Sequence, residues 1–210
     1  MKSVLHILSM TLSAILHPLF MPTYGMVCFC AAFNSTQVPL PRVYWLVACS
    51  GTFVITALIP LSLMLIRRWR GTISDISISN APERTPVYLY TLICYACWCY
   101  FLYKIIYAPF VSLIGVGATI ALGLILLINS RWKISAHLSG LGGLLGGVLA
   151  YTFNYSLPLP IGTIAVILGL ALVLMYARLY LNAHTPLQVI AGFILGIIMT
   201  FTPTYLIGIL

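Results

Sequence analysis

Apolar runs long enough to cross a bilayer recur along most of this 210-residue chain. About 20 helical residues span the hydrocarbon core of a bilayer, and a backbone in lipid must satisfy its own hydrogen bonds. With 62% hydrophobic and only 6% charged residues, the composition excludes an ordinary soluble domain. The sequence therefore predicts one integral membrane domain over residues 1–210, an all-α, polytopic bundle of transmembrane helices.

Prolines and polar clusters divide the apolar sequence into spans. The first run is interrupted at His17-Pro18 and Met21-Pro22, which predicts a short helix to about His17, able to lie in the interface, and a span from Leu19 to Phe33. No small-residue cleavage site follows the first run, which argues against a cleaved signal peptide. Further spans are predicted at 43–66, 87–104, 108–128, 138–154, 162–178 and 186–208. The total is seven crossings, or six if the first segment re-enters.

The net charge of +8 arises from ten Lys and Arg against only two acids. Such a balance suits either nucleic acid or anionic lipid, but most of the cations fall at predicted span ends, so membrane lipids are the expected partners and nucleic acid is not. We expect a cell membrane, plasma or inner. The positive-inside rule favours the cytoplasm for the more basic face, yet cations held by a functional site are poor indicators of topology, so the side stays open.

The stretch from Arg178 to Gln188 carries a cation, an imidazole and an amide in otherwise apolar sequence. Thr185-Pro186 predicts a helix start, with Thr185 as N-cap and Pro186 in the first helical position. His184 is therefore expected at a helix N-terminus, where unpaired N–H groups and the helix dipole stabilise anions. A phosphate suits a guanidinium, an imidazole and free amides together.

Counting seven crossings puts the loops that hold Arg84, His137 and His184 on one face of the membrane. Ionisable residues that converge in this way suggest a functional site. The loop before His137 adds further polar candidates: Arg131, Lys133 and Ser135. Each residue also has a structural interpretation. Arg84 can pair with Glu83, Arg131 and Lys133 can be anchors that reach the interface, and His137 can be an interfacial hydrogen-bonding residue.

Other patterns do not indicate a cofactor or a metal. The glycine-rich run at 139–147 has no preceding strand and no following Lys-Ser/Thr, so it is not a nucleotide loop. Its glycines, like Gly192 and Gly196, have the small-xxx-small spacing that lets membrane helices pack closely. The six cysteines lie in apolar spans and are interpreted as small buried residues. We expect no disulfide, no cofactor and no metal site.

Three motifs resemble those of the type 2 phosphatidic acid phosphatases, membrane enzymes that remove phosphate from lipid phosphates without a metal. Ala177-Arg178-x5-His184-x3-Gln188 is similar to the family's Ser-Arg-x5-His-x3-Asp. Ile134-Ser135-Ala136-His137 is similar to Pro-Ser-Gly-His. Arg84-Thr85-Pro86 is weakly similar to the end of Lys-x6-Arg-Pro, with Ser77 at the lysine position. The resemblance covers roughly residues 77 to 208.

The resemblance implies phosphoryl transfer through a phosphohistidine. His184 is the implied nucleophile and His137 the general acid. Arg84 and Arg178 are expected to hold the phosphate oxygens. Lys133 or Arg131 would replace the missing lysine as a further phosphate-binding cation, and Ser135 would add a hydrogen-bond donor. Gln188 replaces the family's aspartate; we predict that its carbonyl orients His184 through the Nδ1 proton, although Thr185-x-x-Gln188 also fits a capping box.

The sequence thus predicts a metal-independent phosphatase acting on a lipid phosphate or diphosphate. The alternative is a catalytically inactive relative that binds anionic lipid headgroups or serves in a membrane assembly. A transporter would need ionisable residues near mid-span, and the chain has almost none apart from His17. The sequence leaves the oligomeric state and the identity of the lipid open.

Overall fold

The computed structural model describes residues 2–34, 41–74, 81–105, 109–157 and 159–208. These residues form helices and no strand, and seven segments are long and apolar enough to cross a membrane. The helices are α1 (Lys2–Ile15), α2 (Met21–Asn34), α3 (Arg42–Phe53), α4 (Ile59–Trp69), α5 (Ala81–Ile105), α6 (Pro109–Asn129), α7 (Ala136–Asn154), α8 (Ile161–Tyr180) and α9 (Pro186–Gly208). The predicted all-α membrane bundle is confirmed.

The first apolar run is broken where the sequence predicted. A single 3₁₀ turn, Pro18–Phe20, separates α1 from α2, and His17 caps it by accepting a hydrogen bond from Leu19 N–H at its Nδ1. Because Pro18 lacks an N–H and restricts the residue before it, α1 cannot continue through this point. Together α1 and α2 make the first candidate span, Val4–Ala31.

The second span is continuous but irregular, because a π-helical segment, Val54–Leu58, joins α3 to α4. The wider turn comes just before Pro60, which cannot donate the hydrogen bond that a regular helix needs. The last turn of α4 is basic and ends in a left-handed glycine, Gly71, with φ of 68°. Ile73 is buried in a hydrophobic cluster with Met64 of α4 and Val87 of α5. In the sequence, Ile76 and Ile78 alternate with polar residues, which suggests an amphipathic segment along the interface, but both lie outside the described residues.

Helix α7 is at the centre of the bundle and packs most closely on α9. A Cβ added at Gly142 would fall on the carbonyl oxygen of Phe193, and one added at Gly196 would fall on that of Ser139. Thr200 Oγ1 donates across the same contact to the carbonyl of Gly143 at 3.0 Å. The predicted close packing of helices through small residues is therefore confirmed for Gly142 and Gly196, and it fixes the relative position of α7 and α9.

The remaining helices surround this pair. Helix α6 packs against both α9 and α5, α8 lies against α7 and α1, and α2 packs against α7 and α3. The observed ends agree with the predicted spans to within a few residues except in two places. The first candidate span begins at Val4 and not at Leu19, because α1 and α2 together supply its length. Helix α5 begins at Ala81 and not near residue 87. The first turns of α5 contain Pro82, Glu83 and Arg84, so an apolar pattern could not reveal them.

Candidate functional site

The chain reverses between α8 and α9 through a tight helix C-cap. Ala183 N donates to the carbonyl of Arg178 at 3.0 Å, and Asn182 N donates to that of Leu179 at 2.9 Å. This pair of bonds is a Schellman motif, and Asn182 takes its left-handed position with φ of 51°. The motif explains the spacing of Arg178 and His184, because it returns the chain to the bundle within six residues.

His184 lies directly before the N-cap of α9, and its ring orientation is fixed by a backbone group. Nδ1 lies 3.2 Å from the carbonyl oxygen of Lys133. A carbonyl only accepts, so Nδ1 carries the proton and Nε2 presents a lone pair. Burial, together with the positive charges of Arg178 and Lys133, lowers the pKa of His184 to about 4, and the hydrogen bonds of the ring with the Lys133 carbonyl and Gln188 oppose this shift. A neutral, partly buried imidazole is a competent nucleophile.

The Nδ1 of His184 faces the Lys133 carbonyl, and Gln188 is a second hydrogen-bonding neighbour of the same ring. The Oε1 of Gln188 accepts from Thr185 N–H at 3.1 Å, which forms the side-chain half of the capping box. The same side chain lies close enough to the imidazole to favour its protonated form. The side chain of Gln188 easily reaches the backbone N–H of Thr185, three residues earlier at the start of α9. The Nδ1 of His184 already has the Lys133 carbonyl as its partner.

The connection between α6 and α7 brings a second group of predicted residues against α9. Ser135 caps α7 by accepting from Leu138 N–H at 3.4 Å, and its own N–H donates to the backbone carbonyl of Gln188 at 3.2 Å. Its hydroxyl is fully buried. These contacts give Ser135 a structural role. Lys133 is half-buried beside His184, whereas Arg131 is exposed, so proximity supports Lys133 more strongly than Arg131 as a phosphate ligand.

Two arginines from different helices are buried near each other. Arg84, 5% exposed on α5, donates from Nη1 to Asn129 Oδ1 at the end of α6, at 3.1 Å. Arg178, 7% exposed at the end of α8, has a buried Nε without a hydrogen-bond partner. Tyr88, one turn along α5 from Arg84, interacts electrostatically with both guanidinium groups. Two like charges held together in an apolar bundle favour an anion as ligand.

His137, in the first turn of α7, meets the interrupted N-terminal segment. Its ring lies edge-on to that of His17, with centroids 5.3 Å apart. It also hydrogen-bonds to the backbone of Ser13, and it lies within electrostatic range of Arg178 and His184. The Ser13 hydroxyl is buried nearby without a partner. The structure thus brings together the predicted residues Arg84, His137, Arg178 and His184, as the crossing count required.

Sequence reasoning did not assign His17, Ser13, Tyr88 or Asn129 to this site. Arg84 and Tyr88 are separated by one helical turn, a spacing that was available as a signal. For His17 and Ser13 the only signal was a histidine placed at a helix break. Within the ranges that the structure describes, no group of three or more His, Cys, Asp or Glu residues could hold a metal ion.

The comparisons with known proteins address the same region. Residues 115–208 match the PAP2 superfamily. This match covers somewhat less than half of the chain, and it confirms the resemblance seen in the motifs. No curated protein and no solved structure shows significant similarity.

The PAP2-like region contains His137, Arg178 and His184, together with Lys133 and Gln188. Arg84, Tyr88 and His17 lie outside it, although the structure places them at the same site. At the family level the match supports a phosphatase-type hydrolase in a membrane protein.

Proposed function

We propose that this protein is a lipid phosphatase that works through a phosphohistidine, without a metal, on a lipid phosphate or diphosphate. One observation carries the proposal: His184 directs its Nδ1 to the Lys133 carbonyl, which leaves a lone pair on Nε2, and the ring lies within electrostatic range of the buried guanidinium of Arg178. An imidazole fixed in this tautomer next to an arginine with an unpartnered Nε suits attack on a phosphorus atom whose oxygens the arginine holds.

In the first step, Nε2 of His184 forms a bond to phosphorus as the bond from phosphorus to the leaving oxygen breaks. That oxygen leaves with a proton from His137, as the lipid alcohol from a monophosphate or as the lipid monophosphate from a diphosphate. In the second step, water attacks the phosphorus, His137 takes its proton, and His184 is released with inorganic phosphate. Arg84 and Arg178 stabilise the charge on the phosphoryl oxygens throughout.

Tyr88 adds a residue to this scheme. Its hydroxyl lies within electrostatic range of both guanidinium groups, so it can donate to a phosphate oxygen that they hold. Lys133 supplies another positive charge at the rim, in the role that the absent motif lysine would have had. Gln188 has no charge to stabilise an imidazolium, and its contact with Thr185 suggests that it contributes mainly by fixing the start of α9.

The test is phosphate release from a panel of lipid monophosphates and diphosphates by protein in nanodiscs, with a chelator present. We expect turnover that persists with chelator, is abolished in His184→Asn and is unchanged in His6→Asn, a substitution of an exposed histidine on α1. Brief incubation with a labelled substrate should trap an acid-labile phosphoenzyme in the wild type. Absence of turnover on every substrate, with retained binding to anionic vesicles, would favour an inactive, headgroup-binding relative.

We further propose that the protein resides in a cell membrane, plasma or inner, with the site at one face. Single cysteines at Ser130 and Leu159, introduced in a cysteine-free background, would report the two faces, because Ser130 follows α6 and Leu159 precedes α8. Labelling by an impermeant reagent from opposite sides is expected. Labelling of both from the same side would show that the crossing count is wrong.

A further inference from the structure

A partly open apolar cavity of about 810 Å³ lies among α2, α5, α6 and α7, with Leu157, Pro160 and Thr163 near the start of α8 also lining it. Its walls are almost entirely hydrocarbon and aromatic, with Trp98 and Tyr95 on one side and the glycines of α7 on the other. A volume of this size is in the range that holds a bound small molecule. A cavity with so little polar lining suits a hydrocarbon chain and does not suit a charged or sugar-like ligand.

One end of this cavity lies beside the candidate site. Pro18, which follows His17, and Ala136, which precedes His137, both line it. The two histidine rings are in contact at this point. A molecule whose phosphate is held by Arg178 and His184 could therefore extend its tail directly into the cavity.

The cavity runs deep into the bundle. Along α6 its lining extends from Ile125, one turn from the site end at Asn129, to Val111 near the opposite end. Fourteen residues of helix correspond to about 21 Å. That distance is a large part of the roughly 30 Å hydrocarbon core, so the cavity has the length of a lipid tail.

Small residues create the space. Gly143 and Gly147 of α7 face the cavity, whereas Gly142 and Gly146 face α9. Across from them, Ala118 and Ala121 of α6 line the same space. The glycine pairs of α7 thus have two tasks: one pair permits helix contact, and the other keeps the cavity open.

We infer that this cavity binds the hydrocarbon tail of the lipid phosphate and sets an upper limit on its length. The inference rests on the proposed function for the position of the headgroup. Because lipid tails are already in an apolar medium, entry into the cavity gains little from the hydrophobic effect itself. Selection comes from fit, since a tail longer than the cavity meets the residues at its far end while the phosphate is held at the other.

The experiment narrows the cavity at two depths. Ala121→Phe and Ala118→Phe lie about 12 and 16 Å from Asn129 along α6 and project a ring into the cavity. Ala96→Phe is the matched control, because Ala96 is exposed on the outer surface of α5 and does not line the cavity. Turnover is measured in nanodiscs on monoalkyl phosphates from butyl to octadecyl.

We expect kcat/KM of the wild type to change little with chain length up to a limit and to fall beyond it. Ala121→Phe should shift that limit to the shortest chains, Ala118→Phe to intermediate chains, and Ala96→Phe should leave it unchanged. For octadecyl phosphate the loss in Ala121→Phe should be at least ~10-fold, as expected when bulk is forced into a fitted space. Turnover of butyl phosphate should stay within about twofold of wild type in all three variants, since its chain stops before the new ring.

Equal losses at every chain length, or an equal shift in Ala96→Phe, would overturn the inference. Thermal stabilisation by octadecyl phosphate, compared with butyl phosphate, gives a readout independent of turnover. If neither the wild type nor any variant hydrolyses any of the alkyl phosphates, the proposed function is wrong. The cavity assignment then stands only if octadecyl phosphate stabilises wild type and Ala96→Phe but not Ala121→Phe. A phospholipid that copurifies and is not displaced by octadecyl phosphate would instead identify a structural lipid site.

Discussion

The imidazole of His137 stands edge-on to that of His17, with 5.3 Å between ring centroids, although 120 positions separate the two residues in sequence. His17 is fixed in turn, because its Nδ1 accepts from Leu19 N–H in the turn between α1 and α2. The N-terminal segment therefore contacts the proposed general acid through His17. This contact comes from outside the PAP2-like region.

Replacing His17 should weaken catalysis without abolishing it. His17→Phe keeps an aromatic edge against His137 but loses the bond to Leu19 N–H, so we expect turnover to fall on the order of 10-fold, less than the loss of a general acid itself. The measurement is kcat on a lipid monophosphate, with His6→Phe as control. KM should stay within about twofold, since no phosphate contact is removed. A His17→Phe enzyme with unchanged kcat would deny His17 this role.

Substitution of Gln188 should affect stability more than chemistry. Gln188→Leu removes the acceptor for Thr185 N–H, which should cost about 1 kcal/mol of folding free energy, while turnover falls less than 10-fold because Lys133 O still fixes the His184 ring. Gln188→Glu retains an acceptor and should restore the melting temperature. Melting temperature and specific activity are measured together. A large loss of activity at an unchanged melting temperature would show that Gln188 takes part in catalysis.

The protonation of His184 should occur well below neutral pH. Its pKa of about 4 in the folded protein lies below the value near 6.5 expected in an unfolded chain. As the pH falls from 6.5 towards 4 the unfolded chain therefore binds the proton first, and the folded state loses stability over this window. Above it the ring is neutral and nucleophilic. NMR titration of labelled histidine should show this low pKa in the wild type.

Arg178→Gln should raise the pKa of His184, because it removes the nearest positive charge that disfavours the imidazolium. The same titration measures the shift. Arg42→Gln, at the start of α3 and exposed, is the control and should leave the titration unchanged. A downward shift in Arg178→Gln would show that the guanidinium does not face the ring.

Asn129 should control phosphate affinity through Arg84. Asn129→Leu removes the acceptor that holds Nη1, so we expect vanadate or phosphate to bind about 10-fold more weakly, the equivalent of one lost hydrogen bond to a charged group. Asn154→Leu provides the matched control, because Asn154 donates to the Thr204 carbonyl on α9 far from the site. That variant should lose stability but retain affinity. If the wild type, Asn129→Leu and Asn154→Leu bind phosphate with equal affinity, Asn129 does not position Arg84.

The span ends and the N-cap at Thr185-Pro186 could be predicted from sequence, since apolar length and proline position are local signals. The convergence of Arg84, His137 and His184 followed from counting crossings. The partner of His184 could not be predicted, because a backbone carbonyl is available at every residue. His17 and Asn129 were missed because an isolated histidine or amide at a helix end has an adequate structural explanation, and only tertiary packing shows what it contacts.

The glycine contact between α7 and α9 makes a further prediction. Gly196→Ala places a methyl group on the Ser139 carbonyl, which should force the helices apart at a cost of about 1–3 kcal/mol and reduce turnover. Gly169→Ala on α8 is the control, because nothing lies within 4 Å of its added Cβ and alanine favours a helix. Melting temperature and kcat should fall together in Gly196→Ala only. Unimpaired activity there would show that the interhelical spacing is not critical.

His137 and His184 stand at the starts of the same two helices, so the glycine contact has a consequence for how genetic data on this protein are interpreted. The distance between the proposed nucleophile and the proposed proton donor therefore depends on how closely the two backbones approach, little more than one turn from His137 and about three turns from His184. A variant at Gly142 or Gly196 would still bind the headgroup but would lose turnover, as would a substitution of a catalytic residue. Loss-of-function alleles at these glycines would therefore mark misalignment of the two imidazoles and not an additional contact with the lipid.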